Sequence, residues 1–380
     1  MKKKYIILSI ITLVLLITFV TSFNYFKTTN TYVENNSNNQ TKITKGISMN
    51  LEQTAGAGDY KQVTQSSWPT EGYKFNAELS KCENGGEISW DDTKKAVIVS
   101  GNLSDKCYVY FDIYQLTLAE YIKSQYTGTQ GENSLYYHNS SLANGAGDNS
   151  YRYAGASASV NNYICLGSDE ATCPDANLFR IIGVFGDKTK VIRTKSVGNK
   201  QWHSSQVNTW SSSSLNTYLN GGYLTSLGTL KNKIATTTWK VGGGSWSSIG
   251  TSVPKTAYKN EVGSSSSITT VNKKIGLMYV SDYYYSASPS AWTLVGYNES
   301  DATKDYRAAT STNWLYLGST EWTISRYSDN SNNAFYVYDY GHVYDDFVYY
   351  DYGVRPSFNL ESSVKYVSGS GSMSDPVRVN

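Results

Sequence analysis

Few side chains in this chain of 380 residues are suited to catalysis. Its histidines are His138, His203 and His342, and His203 lies beside serines in "QWHSS". Because serine is abundant everywhere and no G-x-S-x-G elbow occurs, this pair gives little support to a nucleophilic triad. Asp345 and Asp346 are adjacent, so on a strand they point to opposite faces and do not form a glycosidase carboxylate pair. The residues therefore predict no enzyme, no catalytic residue and no cofactor.

A different group of side chains, suited to binding, is concentrated near the carboxyl end. The segment from Tyr327 to Tyr352 includes eight tyrosines and five aspartates. Successive side chains of a strand point to opposite faces, and apolar residues alternate with tyrosines here. We therefore predict a hairpin that turns at "DYG", with Phe347 and Val348 resuming the inward apolar set after a bulge. The first inward residues are Phe335, Val337, Gly341 and Val343, and the outward ones are Tyr336, Tyr338, Tyr340, His342 and Tyr344.

Outward tyrosines of this kind are typical of binding loops. Tyrosine offers a large rigid surface with a polar tip, and little side-chain freedom is lost when a ligand covers it. Five such rings, at about 150 Å² each, would supply most of the roughly 800 Å² that one partner contributes to a standard interface. We predict ligand contacts first at Tyr336, Tyr338, Tyr340, His342, Tyr344, Asp346, Tyr349 and Tyr350, and next at Asp339, Asp345, Asp351 and Tyr352. The alternative, that these rings pack against the protein's own loops, stays open.

The aspartates and tryptophans bear on the kind of ligand. Clustered aspartates alone are weak evidence for a metal ion, so no metal ligand is predicted. Trp314 and Trp322, like the tyrosines, could stack on the rings of a glycan. Nucleic acid is not expected as a partner, because the net charge is only +2 and the lysines are scattered.

The four cysteines are predicted to form structural disulfides. Four cysteines allow three pairings, and the sequence does not choose between them. Proximity favours Cys82 with Cys107, which flank a strand-turn-strand pattern, and Cys165 with Cys173, which are eight residues apart. Disulfides are typical of exported proteins.

The amino terminus predicts a membrane anchor at 1–26. Three lysines precede 22 residues without a charge, Tyr5 to Phe26, which as a helix would span roughly 33 Å. The lysines should stay inside, which places the rest of the chain outside the cell. We therefore predict a single-pass protein of the cell membrane with an extracellular carboxyl-terminal portion. The alternative is a cleaved signal and a secreted protein, although "FVTSFNYF" offers no A-x-A-like cleavage site.

Three further segments follow the predicted anchor. Residues 27–57 are polar and rich in Asn and Thr, which predicts a flexible stalk. Residues 58–113 alternate in the manner of a small β-rich, immunoglobulin-like domain. Residues 114–380 combine short strands, long loops and two or three helices, which predicts an α+β domain.

The helices of the last segment have recognisable ends. Thr117 and Glu120 have the spacing of a capping box at the start of "TLAEYIKSQY". A second helix is predicted in "SSSSLNTYLN", with Ser213 or Ser214 as its N-cap and Asn220-Gly221 as its end. A third is predicted in "YLTSLGTLKNKIA".

An ordered set of motifs between about 150 and 380 resembles a known family. "FRIIGVF", "NTWSSSSLNTYLN", "IGLMYVSD", "NWLYLGSTEWTISR" and "GVRPSFNL" occur in an order that is similar to exported bacterial surface proteins with a divergent C-type-lectin-like fold. "GVRPSFNL" resembles the strand that ends this fold in formylglycine-generating-type domains and in variable proteins diversified by retroelements. The formylglycine-generating relatives act through late cysteines. Because no cysteine follows Cys173, that activity is not carried over.

The variable-protein branch implies a reason for the Tyr/Asp composition. In that family, a reverse transcriptase substitutes adenines in a segment just before the terminal G-[FV]-R strand, and Asn codons are preferred targets. Changes in their first two bases yield Tyr, Asp, His, Ser, Phe and Val, which make up most of 327–352. The resemblance therefore implies a diversified ligand-binding surface there, and an interior position for Arg355.

These expectations combine into one architecture and one function. We predict an α+β protein with a membrane helix, a small β-sandwich-like domain and a C-type-lectin-like domain. Its predicted function is that of a bacterial cell-surface ligand-binding protein, which displays a Tyr/Asp-rich, diversified recognition surface at 327–352 to an unknown protein or glycan at the cell exterior. The alternative is a fixed-ligand adhesin or glycan-binding cell-wall protein without diversification.

Overall fold

The computed structural model describes residues 30–32, 35–36, 40–41, 46–64, 67–69, 72–101, 105–242, 244–263 and 268–380. The chain divides into two compact units, Met1–Gln115 and Leu116–Asn380, which are here called unit 1 and unit 2.

Unit 1 is built from strands. Its larger sheet has the strand order β5-β4-β9-β6, and a second sheet has the order β1-β8-β7. The strands are β1 (Asn30–Tyr32), β2 (Asn35–Asn36), β3 (Gln40–Thr41), β4 (Ile47–Glu52), β5 (Tyr60–Val63), β6 (Tyr73–Cys82), β7 (Glu87–Asp91), β8 (Ala96–Ser100) and β9 (Cys107–Ile113). Buried side chains of both sheets share one core, which includes Met49, Val97, Val109 and Phe111.

Strand β4 lies where the sequence predicts a stalk. Residues 27–45 of the predicted stalk have no described side chains, but Ile47 to Leu51 of β4 pair in parallel with β9, and β4 is almost entirely buried. Cys82 and Cys107 occupy directly paired positions of β6 and β9 and form a disulfide. A second disulfide joins Cys165 to Cys173 in unit 2, so both predicted pairings are confirmed.

Unit 2 contains two large sheets. The first has the order β18-β23-β14-β13-β12-β25-β24, with β11 beside β13 and β10 beside β11; the second has the order β15-β22-β19-β20-β21; β16 pairs with β17. The strands are β10 (Leu135–Tyr137), β11 (Tyr151–Tyr153), β12 (Tyr163–Cys165), β13 (Leu178–Phe185), β14 (Lys188–Arg193), β15 (Asn199–Gln201), β16 (Thr237–Val241), β17 (Thr269–Lys273), β18 (Ile275–Gly276), β19 (Glu321–Arg326), β20 (Asn333–Val337), β21 (Val343–Phe347), β22 (Asp351–Gly353), β23 (Ser357–Asn359), β24 (Tyr366–Ser368) and β25 (Val377–Val379).

The helices of unit 2 are short. The α-helices are α1 (Leu118–Ser124), α2 (Ser214–Tyr218), α3 (Leu224–Ser226), α4 (Pro254–Val262) and α5 (Val280–Tyr285). The π-helical turns are Leu219–Tyr223 and Trp246–Gly250, and the 3₁₀ turns are Glu132–Ser134, Asp175–Asn177, Trp210–Ser212, Gly228–Asn232, Pro289–Thr293, Ala302–Lys304 and Tyr306–Thr312.

Capping residues in the sequence correctly predicted the positions at which two helices begin. The capping box of Thr117 and Glu120 is present at α1, and the Ser213 hydroxyl caps α2 by accepting from the Asn216 amide. The predicted end at Asn220-Gly221 is wrong, because the chain continues through the π-helical turn into α3. A Gly pair weakens a helix but does not oblige it to stop, and here the buried Tyr223 follows the pair directly.

The predicted membrane helix and single-pass localisation are not supported, and the predicted fold class is corrected accordingly. Among the residues that the structure describes, no helix is both long enough and apolar enough to cross a membrane. The segment 1–26 itself lies outside the described residues. With 35% strand and 21% helix, the protein is sheet-rich, with many strands and few, short helices.

Candidate ligand-binding surface

The hairpin predicted near the carboxyl end is formed by β20 and β21. The two strands pair antiparallel from Asn333 opposite Phe347 to Val337 opposite Val343. The Tyr338 amide then donates to the His342 carbonyl, which leaves a three-residue loop, the predicted "DYG". Gly341 closes this loop with a φ of 94°, where a Cβ would lie 2.3 Å from Thr310 Cγ2. Loop and register therefore both depend on glycine at this position.

Most of the apolar residues predicted to point inward do so, but Phe347 is an exception, because its side chain is partly exposed and its ring stacks on Tyr349. Phe335, Val337, Val343 and Val348 are at most 1% exposed. The Gly341 carbonyl accepts a hydrogen bond of 2.7 Å from the buried Tyr283 hydroxyl, which fixes the loop to the core.

The predicted contact residues differ widely in exposure. Tyr340, Tyr344 and Tyr350 are 66%, 40% and 44% exposed. The exposed aspartates are Asp339 and Asp351. The partly exposed residues of the predicted set are Tyr338, His342, Asp345, Asp346, Tyr349 and Tyr352.

Tyr336 does not point into solvent, contrary to the expectation from alternation. Its side chain is only 6% exposed, and its ring lies 5.0 Å from the Tyr352 ring and 6.0 Å from the Trp322 ring between centroids. Because β20 lies inside the five-stranded sheet, its neighbour β19 and the next strand, β22, supply rings that cover its second face. Burial raises the pKa of the Tyr336 hydroxyl well above its usual value.

The exposed rings belong to two groups of touching aromatics. In the first, the ring of His342 lies 5.0 Å from that of Tyr338 and 4.8 Å from that of Tyr297, and Tyr338 contacts Tyr340 at 5.4 Å. In the second, Tyr350 lies 5.0 Å from Tyr349, and the members are Phe347, Tyr349, Tyr350 and Tyr352. The rings are therefore held by one another while part of their surface stays open to solvent.

Hydrogen bonds fix the carboxylates of this surface. The Tyr352 hydroxyl donates to Asp346 Oδ2 at 2.6 Å, and the Asn333 amide donates to Asp345 Oδ2 at 2.7 Å. Burial raises the pKa of the Asp345 carboxyl, although its hydrogen bond with Asn333 acts in the opposite direction. Burial also lowers the pKa of His342, and the nearby positive charge of Arg307 adds to the effect.

The segment 327–352 is acidic and has no basic residue apart from His342. It contains five aspartates and neither Lys nor Arg. In the part of the chain that the structure describes, none of these aspartates belongs to an ion pair. The surface therefore combines open phenol rings with uncompensated negative charge.

A cavity that the sequence did not predict lies beside the hairpin. Its volume is about 460 Å³, and its lining includes the exposed ring of Tyr344. The other lining residues are Trp246, Thr251, Val295, Tyr297, Asn298 and Glu299. The tryptophan in the Gly/Ser-rich stretch "GGGSWSSIG" is the sequence feature that could have indicated this cavity.

Several other residues considered from the sequence are buried. Trp314 and Trp322 are 2% and 1% exposed, so neither is available to stack on a glycan. His138 and His203 are buried too. Arg355 is interior, as the resemblance implied, and pairs with Glu321. Among the described residues, no group of three or more His, Cys, Asp or Glu side chains is arranged to hold a metal ion.

Part of the chain matches a known protein family. Residues 186–362 are similar to a family described as Domain of unknown function (DUF6273), and this range includes the hairpin and the cavity. No curated protein and no solved structure matches the chain. The resemblance to diversified variable proteins is not tested by these comparisons and stays a prediction.

Proposed function

We propose that this is a ligand-binding protein without enzymatic activity, and that 327–352 form its recognition surface. The observation that carries the proposal is the exposure of Tyr340, Tyr344 and Tyr350 on elements anchored to a buried sheet. Large open phenol rings are unusual on a surface without a partner and are enriched where proteins bind one. Because these rings already touch their neighbours, little further ordering is required when a ligand covers them.

Exposure also indicates which positions could tolerate variation. A diversified surface needs positions whose side chains can change without disturbing the core, and Tyr340, Asp339, Tyr350 and Asp351 meet this condition. Tyr336 does not, because it is buried. We therefore propose diversification at the exposed positions of 327–352.

The gene locus tests diversification separately from binding. A nearby near-copy of the segment that is Asn-rich when translated, beside a reverse transcriptase gene, is the expected finding. If sister genes instead differ evenly at silent third positions and no such copy exists, the ligand is fixed and the protein is the alternative, an undiversified adhesin or glycan-binding protein.

Binding itself is tested on arrays with matched variants. The double variant Tyr340→Ser/Tyr350→Ser removes two exposed rings, and Val367→Ser/Met373→Ser removes apolar side chains that are 50% and 66% exposed elsewhere in unit 2. The wild type and both variants are applied to immobilised proteins and immobilised oligosaccharides. We expect signals that the tyrosine variant loses and the control keeps. Identical patterns for all three proteins would overturn the proposal.

A further inference from the structure

The cavity beside the hairpin has walls made of three aromatic rings in mutual contact. The ring of Tyr344 lies 4.8 Å from that of Trp246 and 5.4 Å from that of Tyr297, both at angles near perpendicular, 67° and 87°. The Trp246 and Tyr297 rings lie 6.2 Å apart. They therefore form a continuous angled apolar wall along a cavity of about 460 Å³, a size within the range of about 300 to 1,000 Å³ that small-molecule sites have.

Contacts with neighbouring residues hold the Trp246 ring in place. Its ring stacks on the buried Phe335 ring with 6.5 Å between centroids and 9° between planes. It also covers Gly250, where a Cβ would lie 2.4 Å from Trp246 Cε3. A capping box between Ser245 and Ser248 fixes the turn that carries it. This wall is therefore preformed, which lowers the cost of binding.

Polar groups are placed at the rim of the same cavity. The side-chain oxygen of Asn298 accepts from the amides of Ser300 and Asp301 at 3.1 and 3.0 Å, which leaves its NH₂ group to donate. Glu299 is exposed and is in no ion pair among the described residues, so its carboxylate can accept. The Arg307 guanidinium donates to the Asn298 carbonyl at 2.6 Å and fixes the backbone there.

This combination suits a ligand that has apolar faces and hydroxyl groups around its edge. A pyranose ring presents C–H groups on its face, which stack on aromatic rings, and hydroxyls that both donate and accept at its rim. An organic cation fits less well, because the Arg307 guanidinium already lies over the Tyr297 ring, 5.0 Å from its centroid.

We infer that this cavity, which we call the Trp246 pocket, binds one sugar unit of a glycan. The inference rests on the proposed function, because Tyr344 belongs to both the recognition surface and the pocket wall. It goes further in naming the class of ligand and in assigning Trp246, Tyr297, Asn298 and Glu299 to the site. A larger glycan would extend from the pocket across the exposed rings of the hairpin.

The test uses the full chain and an array of immobilised oligosaccharides, followed by titration with the free monosaccharides of the spots that bind. The variants are Tyr344→Ser and Glu299→Gln, with Met373→Ser as the matched control outside the surface. We expect both pocket variants to weaken the affinity for the monosaccharide about tenfold, a change of about 1.4 kcal/mol. The loss of affinity in Tyr344→Ser and in Glu299→Gln should exceed the loss in Tyr350→Ser. The control Met373→Ser should bind like the wild type. Glu299→Gln changes an exposed side chain, so it keeps the test valid if Tyr344→Ser folds poorly.

The outcomes separate this inference from the proposed function. Sugar binding that depends on Tyr350 but not on Tyr344 or Glu299 would overturn the pocket and leave the recognition surface standing. Binding confined to basic peptides or proteins, and lost in Tyr340→Ser/Tyr350→Ser, would do the same. If no array signal responds to any of the tyrosine substitutions, both proposals fail.

Discussion

Arg355 and Glu321 form an ion pair inside unit 2, with 2.7 Å between Nη2 and Oε2 and side chains that are 3% and 2% exposed. The same Nη2 donates to the Leu315 carbonyl at 2.6 Å. Glu321 is the first residue of β19, and it pairs in parallel with Gly353 of β22, two residues before Arg355. The ion pair therefore joins the strands on which the hairpin β20–β21 is built.

Removing the carboxylate of this pair should strongly destabilise unit 2. Glu321→Gln leaves the Arg355 charge buried without a counter-charge, and we expect a loss of about 3 to 5 kcal/mol in the free energy of unfolding. Urea unfolding measures it. The control is Asp175→Asn, which breaks an exposed pair with Lys195 and should cost less than about 1 kcal/mol. Similar losses in both variants would contradict the interior role of Arg355.

Tyr336 and Tyr340 should respond oppositely to substitution. Tyr336→Ala removes a buried ring from between Trp322 and Tyr352, and we expect it to cost about 3 to 5 kcal/mol. Tyr340→Ala changes a side chain that is 66% exposed and should stay within about 0.5 kcal/mol of the wild type. Urea unfolding of the two variants measures both changes in the free energy of unfolding. A large loss for Tyr340→Ala would mean that its ring supports the fold and is not held open for a ligand.

The local parts of this fold were predictable from the sequence and the non-local parts were not. The capping box at Thr117, the Ser213 cap and the "DYG" turn depend on residues a few positions apart, and each is present. The burial of Tyr336 depends on Trp322 and Tyr352, which reach it through the strand order of the sheet. The alternation of apolar and polar residues within one strand shows only that its two faces differ. It does not show which rings of other strands cover each face.

The stalk and the Trp246 pocket illustrate the same limit. Ile47–Glu52 are a strand because β9 pairs with them in parallel, and β9 begins at Cys107, far along the chain. The pocket combines Trp246 of a π-helical turn with Tyr297 and Tyr344, and no spacing in the sequence relates these three residues. The disulfide pairing was easier to predict from the sequence, because in both cases the nearest cysteine in the sequence is also the partner.

Acid should weaken the fold through His138. Burial is the main reason why the pKa of His138 lies well below 6.5. Its Nδ1 accepts from the Ala146 amide at 3.1 Å, so taking up a proton there would break this bond. Below pH 6.5 the unfolded chain binds a proton that the folded chain does not, so the stabilising contribution is present above that pH and is lost as the pH falls toward the folded-state pKa.

From pH 7 to pH 5 this single group should lower the free energy of unfolding by up to about 2 kcal/mol. Urea unfolding at both pH values measures the change, and His138→Gln should reduce it more than His342→Gln, since His342 is partly exposed. Nitrogen NMR of the wild-type imidazole provides a second measurement. A His138 ring that is charged at pH 5 would contradict the prediction.

The two disulfides should differ in their contribution to stability. The sequence separations are 25 for Cys82–Cys107 and 8 for Cys165–Cys173. Loop-closure entropy then predicts losses of about 3.5 and about 2.5 kcal/mol when each pair is replaced by serines. Hydrogen exchange of β4 to β9 after Cys82→Ser/Cys107→Ser should show the larger loss of protection. Equal losses in the two double variants would contradict the entropic account.

Strand β21 ends the five-stranded sheet, and it carries Asp345 and Asp346 side by side. Carboxylates on an outermost strand oppose the addition of a strand from a second molecule, which is how open sheets avoid growing into fibrils. The two carboxylates that we predict as ligand contacts would thus also oppose the pairing of this hairpin with a second copy of itself. Solubility and recognition would then draw on the same two residues.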